Sequence, residues 1–218
     1  MNKLQKSLLI LLALLAFGQT AWAQQQFSGG SGTEASPYLI ASDTDWNKLA
    51  YNINNFCENY SGKYFQLTNN ITITETVSTG PSTTMLGVSE TASFQGIFDG
   101  NGKTITVNYT DNSSENYCAP FRFISGATIK NLHITGTITT TGMRPASIAS
   151  FVVENSTITS CWSEVAISSS RSSDIDAGGL VARVNNGKTL TLTDCLFSGS
   201  INYSNSSGYE GGGMVGYT

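Results

Sequence analysis

Beyond residue 36 the chain is built from short runs in which apolar and polar residues alternate, and one segment breaks that rhythm. Trp46, Leu49, Ala50 and Ile53 recur at spacings of three and four, the signature of a helix with one apolar stripe. Ser42-Asp43-Thr44-Asp45 precedes them and has the form of a capping box, with Asp in place of the usual Glu or Gln. The spacing predicts a short helix from Asp43 to about Asn54. Around it, Pro37-Tyr38-Leu39-Ile40, Tyr64 to Leu67 and Ile71 to Ile73 have strand character.

From Phe94 onward the sequence repeats. Gly96-Ile97-Phe98-Asp99-Gly100-Asn101-Gly102-Lys103-Thr104-Ile105-Thr106-Val107 reads as strand, tight turn, strand, with Asp-Gly and Asn-Gly supplying residues that tolerate positive φ. Three later segments align without gaps over ten positions: Ile129 to Ile138, Ile158 to Ile167 and Leu192 to Ile201. Their starts lie 29 and then 34 residues apart. A small residue followed by a large apolar one precedes each copy, at Pro120-Phe121, Ser150-Phe151 and Gly179-Leu180, and Gly213-Met214 opens a further one. The longer last interval fits an extended turn near Asn185-Asn186-Gly187-Lys188.

A period of this size marks stacked supersecondary units. One copy has too little apolar surface to fold alone, whereas stacking puts equivalent residues about 4.8 Å apart and pairs each strand with the copies on either side. The expected fold is therefore all-β, a right-handed parallel β-helix (solenoid) with a short N-terminal capping helix over its open end. Leu132, Cys161 and Cys195 would form one internal ladder, and His133, Trp162 and Leu196 a neighbouring one. The expected organisation is a signal peptide over 1–23, a flexible Gln/Gly/Ser-rich lead-in over 24–35, the cap and first strands over 36–93, and repeats over 94–218. Because Gly213-Met214-Val215-Gly216 opens a copy without its remainder, the repeats are expected to continue in a longer protein.

Composition adds the compartment. Lys3 and Lys6, the apolar run Leu8 to Phe17 and the small-x-small Ala21-Trp22-Ala23 form the three regions of a secretory signal peptide. The run is shorter than the ~20 residues a spanning helix needs, and no later segment is apolar enough to cross a membrane, so the mature chain is expected to be exported, to the cell surface or beyond. Removing the leader makes an already acidic chain (formal charge −4) more so. That balance argues against a nucleic-acid partner, which calls for a clustered basic face.

Candidate chemistry is sparse. Four cysteines, Cys57, Cys118, Cys161 and Cys195, permit three full pairings. Cys161 and Cys195 fall at equivalent repeat positions and read as buried free thiols, with a disulfide between them as the alternative, and Cys57 with Cys118 is a separate candidate bridge from cap to helix. With one histidine and no metal-binding spacing, no zinc site and no cofactor are expected. The strongest acidic pair after Asp43/Asp45 is Asp174 and Asp176, which would share one face of a strand with Arg171 near them. A glycosidase needs two carboxylates across a sugar bond, so these are the weak catalytic candidates, set against a solvated loop. His133 reads as a stacked side chain and Asp99 as a turn residue capping backbone amides. Tyr203, Tyr209 and Tyr217 are candidates for stacking on sugars.

Gly179-Leu180-Val181-Ala182 and Gly213-Met214-Val215-Gly216 resemble the GLUG motif, a Gly-Leu-apolar-Gly repeat of bacterial surface and secreted proteins. The first has Ala for the final Gly and the second Met for Leu. Phe94 to Ile105 is similar to a Phe-x-Gly-x-Phe-Asp-Gly-Asn-Gly-x-Thr-Ile stretch of such proteins from Bacteroidetes-like bacteria. The resemblance implies a β-helix stalk or adhesin-like region of a cell-surface protein, with glycans or host, matrix or cell-surface proteins as partners and no catalytic residue. A carbohydrate-active β-helix, lyase or glycoside hydrolase, is the other reading, on fold analogy alone.

Overall fold

The computed structural model describes residues 26–113, 116–203 and 209–218. The leader residues Lys3 to Ala23 lie outside them. The chain forms a parallel β-solenoid of about six turns with one helix, α1 (Asp43–Phe56). Its first face stacks β1 (Tyr38–Ile40), β2 (Tyr64–Leu67), β4 (Ile97–Asp99), β8 (Thr128–Lys130), β12 (Ser156–Thr159) and β17 (Leu190–Thr193) in that order. The second face stacks β3 (Ile71–Val77), β5 (Thr104–Asp111) and β9 (His133–Thr140). It then divides into β13 (Trp162–Ser163) with β14 (Ala166–Ser169), and β18 (Leu196–Phe197) with β19 (Ser200–Tyr203). The third stacks β7 (Phe121–Ser125), β11 (Ala149–Glu154), β16 (Val181–Val184) and β21 (Val215–Tyr217). Short ladders turn the corner between the last two faces: β6 (Tyr117–Cys118) with β10 (Arg144–Pro145), and β15 (Ile175–Gly178) with β20 (Tyr209–Gly212).

The strand period of two sends alternate residues inward, and stacking turns them into ladders. Phe65, Phe98, Ile129, Ile158 and Leu192 lie one above another on the first face. Ile71, Ile105 and Ile134 do so on the second, as do Ile138, Ile167 and Ile201. These ladders join one continuous core. The ten-residue alignment of the copies coincides with the pairing register: Ile129/Ile158/Leu192, His133/Trp162/Leu196 and Ile138/Ile167/Ile201 are direct partners. The chain bends from the first face to the second at Asn131, Ser160 and Asp194, all left-handed with φ of 51–52°. Asn and Asp tolerate that region, whereas Ser160 is held there by the stack. Of the five extra residues of the last copy, three sit in the loop between β14 and β15, where the pairing offset grows from 29 (Thr140/Ser169) to 32 (Ala146/Gly178), and two in the turn Asn185–Thr189, where it grows from 32 (Val152/Val184) to 34 (Ser156/Leu190).

One register differs from the sequence reading. Phe121 pairs with Ala149, then Val181, then Val215, so Ala119-Pro120 and Ser147-Ile148, not Pro120-Phe121 and Ser150-Phe151, are equivalent to Gly179-Leu180. Phe151 belongs to the opposite phase. It stands over Phe123 and packs with Tyr117 in a separate cluster outside the main core. A slip of this kind preserves residue size while exchanging inside for outside.

Helix α1 closes the N-terminal end. Ser42 caps it, accepting from the Asp45 amide at 3.3 Å, and the Asp45 carboxylate reaches back to the Ala41 amide at 3.1 Å. Trp46, Leu49, Ala50 and Ile53 are fully buried. The Trp46 ring meets Phe98 and Phe121 edge-on, at 5.8 and 5.3 Å, and its Nε1 donates to the Thr84 carbonyl at 2.7 Å. In the described part of the expected lead-in, 26–35, most residues are exposed while Phe27 is held. Phe27 inserts among Tyr38, Tyr60 and Phe65, and Thr33 bridges to Ser36.

The excursion after β3 is tied by an inward-facing carboxylate. Glu75 accepts from the Thr83 amide at 2.6 Å and from the hydroxyls of Ser82, Thr83 and Thr84. Burial pushes its pKa up, but these hydrogen bonds outweigh burial and hold it below the ordinary 4.5.

Two predictions follow from the cap and this clamp. Trp46→Ala removes a fully buried indole and should cost about 3–5 kcal/mol, read as a fall in the urea midpoint. Because the folded pKa of Glu75 is depressed, its stabilisation is complete above the unfolded value and fades as pH falls through the lower folded one. The stability gap between wild type and Glu75→Gln should therefore be largest above pH 4.5 and shrink below it, measured by urea unfolding across pH 2–7.

Candidate functional site

The outer surface of the second face is a regular polar array. Outward residues stack in register as Thr72–Thr106–Thr135, Thr74–Asn108–Thr137–Ala166–Ser200 and Thr76–Thr110–Thr139–Ser168–Asn202. These columns carry hydroxyls and amides but no ionisable group. Thr106 and Thr135 hydrogen-bond to each other at 3.0 Å. Near one end, Thr139, Ser168, Ser169, Ser170, Asn202 and Tyr203 line an open hollow of about 290 Å³.

Along the margin of this array runs a fourth column, Thr104–His133–Trp162–Leu196. His133 lies flat on Trp162, with centroids 4.3 Å apart and planes 15° from parallel. Its Nδ1 is 3.1 Å from the Thr104 hydroxyl and its Nε2 is 2.9 Å from Glu164. Trp162 donates to Ser198 at 2.8 Å yet stays 41% exposed, and Leu196 is 53% exposed. These two are the large apolar side chains that this face shows to solvent.

Hydroxyl, imidazole and carboxylate in series have the connectivity of a nucleophile, base and orienting acid. Acyl transfer also needs free amides to hold an oxyanion. Here the amides of His133, Trp162, Glu164 and Leu196 all donate to carbonyls of the turn below, and the Thr104 amide donates to Asn70. The stack consumes the donors such a reaction would use.

The carboxylates Asp174 and Asp176 are not presented as a pair. Asp174 precedes β15 with φ of 52°, so strand alternation does not place it beside Asp176. Asp176 accepts from Arg144 Nε at 2.9 Å and from Arg183 at 3.1 Å. Arg144 also lies over the Tyr117 ring at 5.0 Å, and Arg183 over Tyr217 at 4.5 Å. Arg171 donates to the Ser173 and Thr141 carbonyls. Asp176 therefore joins two turns across the corner. Other charges pair in the same vertical way: Asp99 with Lys130 at 3.5 Å and Glu154 with Lys188 at 2.7 Å. Asp99 also caps its own turn, accepting from the Asn101 amide at 2.8 Å.

All four cysteines are free thiols. Cys57 is exposed at the C-cap of α1, and Cys118 is buried, so they form no bridge. Cys161 is buried above Leu132, and Cys195 above it is half-buried. Burial pushes the Cys161 thiol up to about 12. Among the described residues no group of three or more His, Cys, Asp or Glu is placed to hold a metal ion.

Two of the three motif-like glycines, Gly179 and Gly216, lie where turns approach closely. A Cβ on Gly179 would stand 2.0 Å from the Gly213 carbonyl oxygen and 2.5 Å from the Phe197 ring, and one on Gly216 would stand 2.5 Å from the Ala182 oxygen. A Cβ on Gly213 would meet nothing within 4 Å. Leu180 and Val181 are fully buried, while Met214 and Val215 are partly buried against the same core. Of the proposed sugar-stacking tyrosines, Tyr217 is taken by Arg183 and Tyr203 stands half-buried beside Gly211. Tyr209 pairs in register with Ile175.

Sequence reasoning did not reach the Arg144–Asp176–Arg183 and Thr104–His133–Glu164 contacts. The second was within reach: the column His133/Trp162/Leu196, carried one copy back to Thr104, sets the hydroxyl against the imidazole.

No family model matches the chain. A "Putative Gly-rich membrane protein" of Evansella cellulosilytica is 31% identical over 133 residues, covering 59% of this chain and 14% of that protein. The crystal structure of a "putative immunoglobulin A1 protease" from Bacteroides ovatus superposes with a TM-score of 0.57 at 21% identity. That likeness covers 88% of this chain and 64% of the other, and it shows the fold. The chain thus spans less than two thirds of either protein. Among the described residues no helix is long and apolar enough to cross a membrane.

The glycine contacts separate structural from incidental positions. Gly179→Ala should destabilise by about 1–3 kcal/mol through overpacking, whereas Gly213→Ala should leave the thermal midpoint within about 2 °C, since surface changes fall within about ±0.5 kcal/mol. Thermal unfolding of the two variants side by side tests this.

Proposed function

We propose that this chain is a non-enzymatic exported β-solenoid module, an adhesin-like or stalk region of a bacterial cell-surface protein of the GLUG-motif kind. Its partners are glycans or host, matrix or cell-surface proteins. The observation that carries this reading is where the reactive groups are spent. His133, the single imidazole, is held between Thr104 and Glu164 on a surface whose amides are consumed by the stack. Asp176, the better carboxylate candidate, is neutralised by two arginines. The side chains left facing solvent in register are neutral hydroxyls and amides beside an exposed indole, a composition suited to recognition rather than bond cleavage. The names of the two similar proteins, one a membrane protein and one a protease, are compatible with placement at a surface.

Binding of the purified chain to glycan and matrix-protein arrays tests the proposal. The expected result is saturable retention on a restricted set of glycans or proteins. Release of oligosaccharides from a polysaccharide, or hydrolysis of a peptide or ester, would overturn it if the activity were lost in His133→Ala or in Asp174→Ala/Asp176→Ala.

A further inference from the structure

The cysteine ladder has a geometry that the recognition reading does not use. We propose that Cys161 and Cys195 together form a two-coordinate site for a soft d10 metal ion of the copper(I) class.

The two thiols are related by one turn and little else. Cys161 Sγ lies 3.3 Å from the Thr159 carbonyl oxygen on its own turn and 3.8 Å from that of Ile129 on the turn below. Cys195 Sγ lies 3.3 Å from the Thr193 oxygen and 3.4 Å from that of Ile158. Thr159 pairs with Thr193, and Ile129 with Ile158. Both side chains therefore adopt the same orientation against equivalent neighbours, and the turn spacing of ~4.7–4.9 Å sets the separation we infer for their sulfurs.

That separation distinguishes two chemistries. A disulfide needs its sulfurs at about 2.05 Å, so both side chains would have to leave the carbonyls they now touch. A bridging metal needs a smaller movement: the sulfurs keep their column, close by a few tenths of an ångström and turn from carbonyls to which they no longer donate once deprotonated. Two metal–thiolate bonds of about 2.3 Å, the length found for zinc, span about 4.6 Å end to end. The ion would sit between the turns, in line with the ladder. Thiolates select soft ions, copper(I) foremost. The site offers two sulfurs with apolar Leu132 beneath, and an ion demanding four or six ligands would be left unsatisfied.

Binding is a proton exchange without redox change. Each Sγ–H bond breaks, each sulfur forms one bond to the metal, and two protons leave to solvent: M⁺ plus two thiols gives a bis-thiolate anion plus two H⁺. Because Cys161 rests as a protonated thiol, affinity should rise with pH. Cys195 is half-buried and gives the ion its way in.

The test uses the full chain carrying Cys57→Ser, to remove the exposed thiol, reduced and kept anaerobic. Copper(I) is supplied as its bicinchoninate complex. The expected result is withdrawal of one equivalent of copper per chain, lost in Cys161→Ser and in Cys195→Ser and retained in Cys118→Ser. If a serine variant unfolds, X-ray absorption at the copper edge of the loaded parent decides instead, and two sulfur neighbours are expected. No withdrawal by the reduced parent overturns the proposal, as does withdrawal that survives both substitutions or a nitrogen/oxygen coordination shell. Isolation of the chain with a Cys161–Cys195 disulfide, two hydrogens lighter by mass, overturns it as well.

Discussion

Everything in this molecule depends on one constraint: a turn is stable only on top of another turn. Each short strand leaves its amides and carbonyls unpaired within its own coil, and a buried unpaired peptide group costs free energy comparable to a lost hydrogen bond. The parallel ladders satisfy those groups by turning every position into a column. Residue choice is then governed by what can repeat at ~4.8 Å. Aliphatic and aromatic side chains repeat well inward, as in Phe65–Phe98–Ile129–Ile158–Leu192. The end of the stack cannot be satisfied in this way, and α1 with its buried Trp46 covers it.

The same constraint governs charge. Like charges repeated in a column would repel at close range, and the ion pairs that link successive turns set opposite signs against each other. Asp99 faces Lys130, and Asp176 lies between Arg144 and Arg183. Of these, the more exposed Asp99–Lys130 pair contributes little stability, typically below about 1 kcal/mol. Their larger effect is on register, because a slip by one turn or one residue would bring unlike partners out of reach. Where charge is absent the columns are Thr, Ser and Asn, and a wide neutral surface results.

How far the sequence disclosed this can be followed residue by residue. The copies Ile129–Ile138, Ile158–Ile167 and Leu192–Ile201 share both length and phase, so alignment and pairing coincide. The helix was readable because Trp46, Leu49, Ala50 and Ile53 break the strand period, and it runs to Phe56. On the third face the phase was lost: Phe151 resembles a core residue in size, and only its neighbours show that it points outward with Tyr117 and Phe123. The expected shared strand face of Asp174 and Asp176 fails for a related reason. Alternation about Ile175 assumes an extended Asp174, whereas the chain turns left-handed there. Contacts between turns, such as Arg144 with Asp176, join residues 32 apart and carry no local signal at all.

A surface made of columns recognises differently from a cleft. A cleft surrounds one ligand group and can strip it of water, which is what makes a buried base or oxyanion donor effective. A flat lateral face offers each ligand unit only a few hydrogen bonds in competition with water, so a single contact is weak. Strength must come from repetition: a partner whose own groups recur can engage Thr74, Asn108 and Thr137 in succession, and each added contact is made at high effective concentration. Trp162 and Leu196 then act as an apolar margin that fixes where along the face such a partner settles. Specificity in this fold lies in matching periodicity, which is why the most regular part of the molecule, rather than an irregular loop, is the part to read for function.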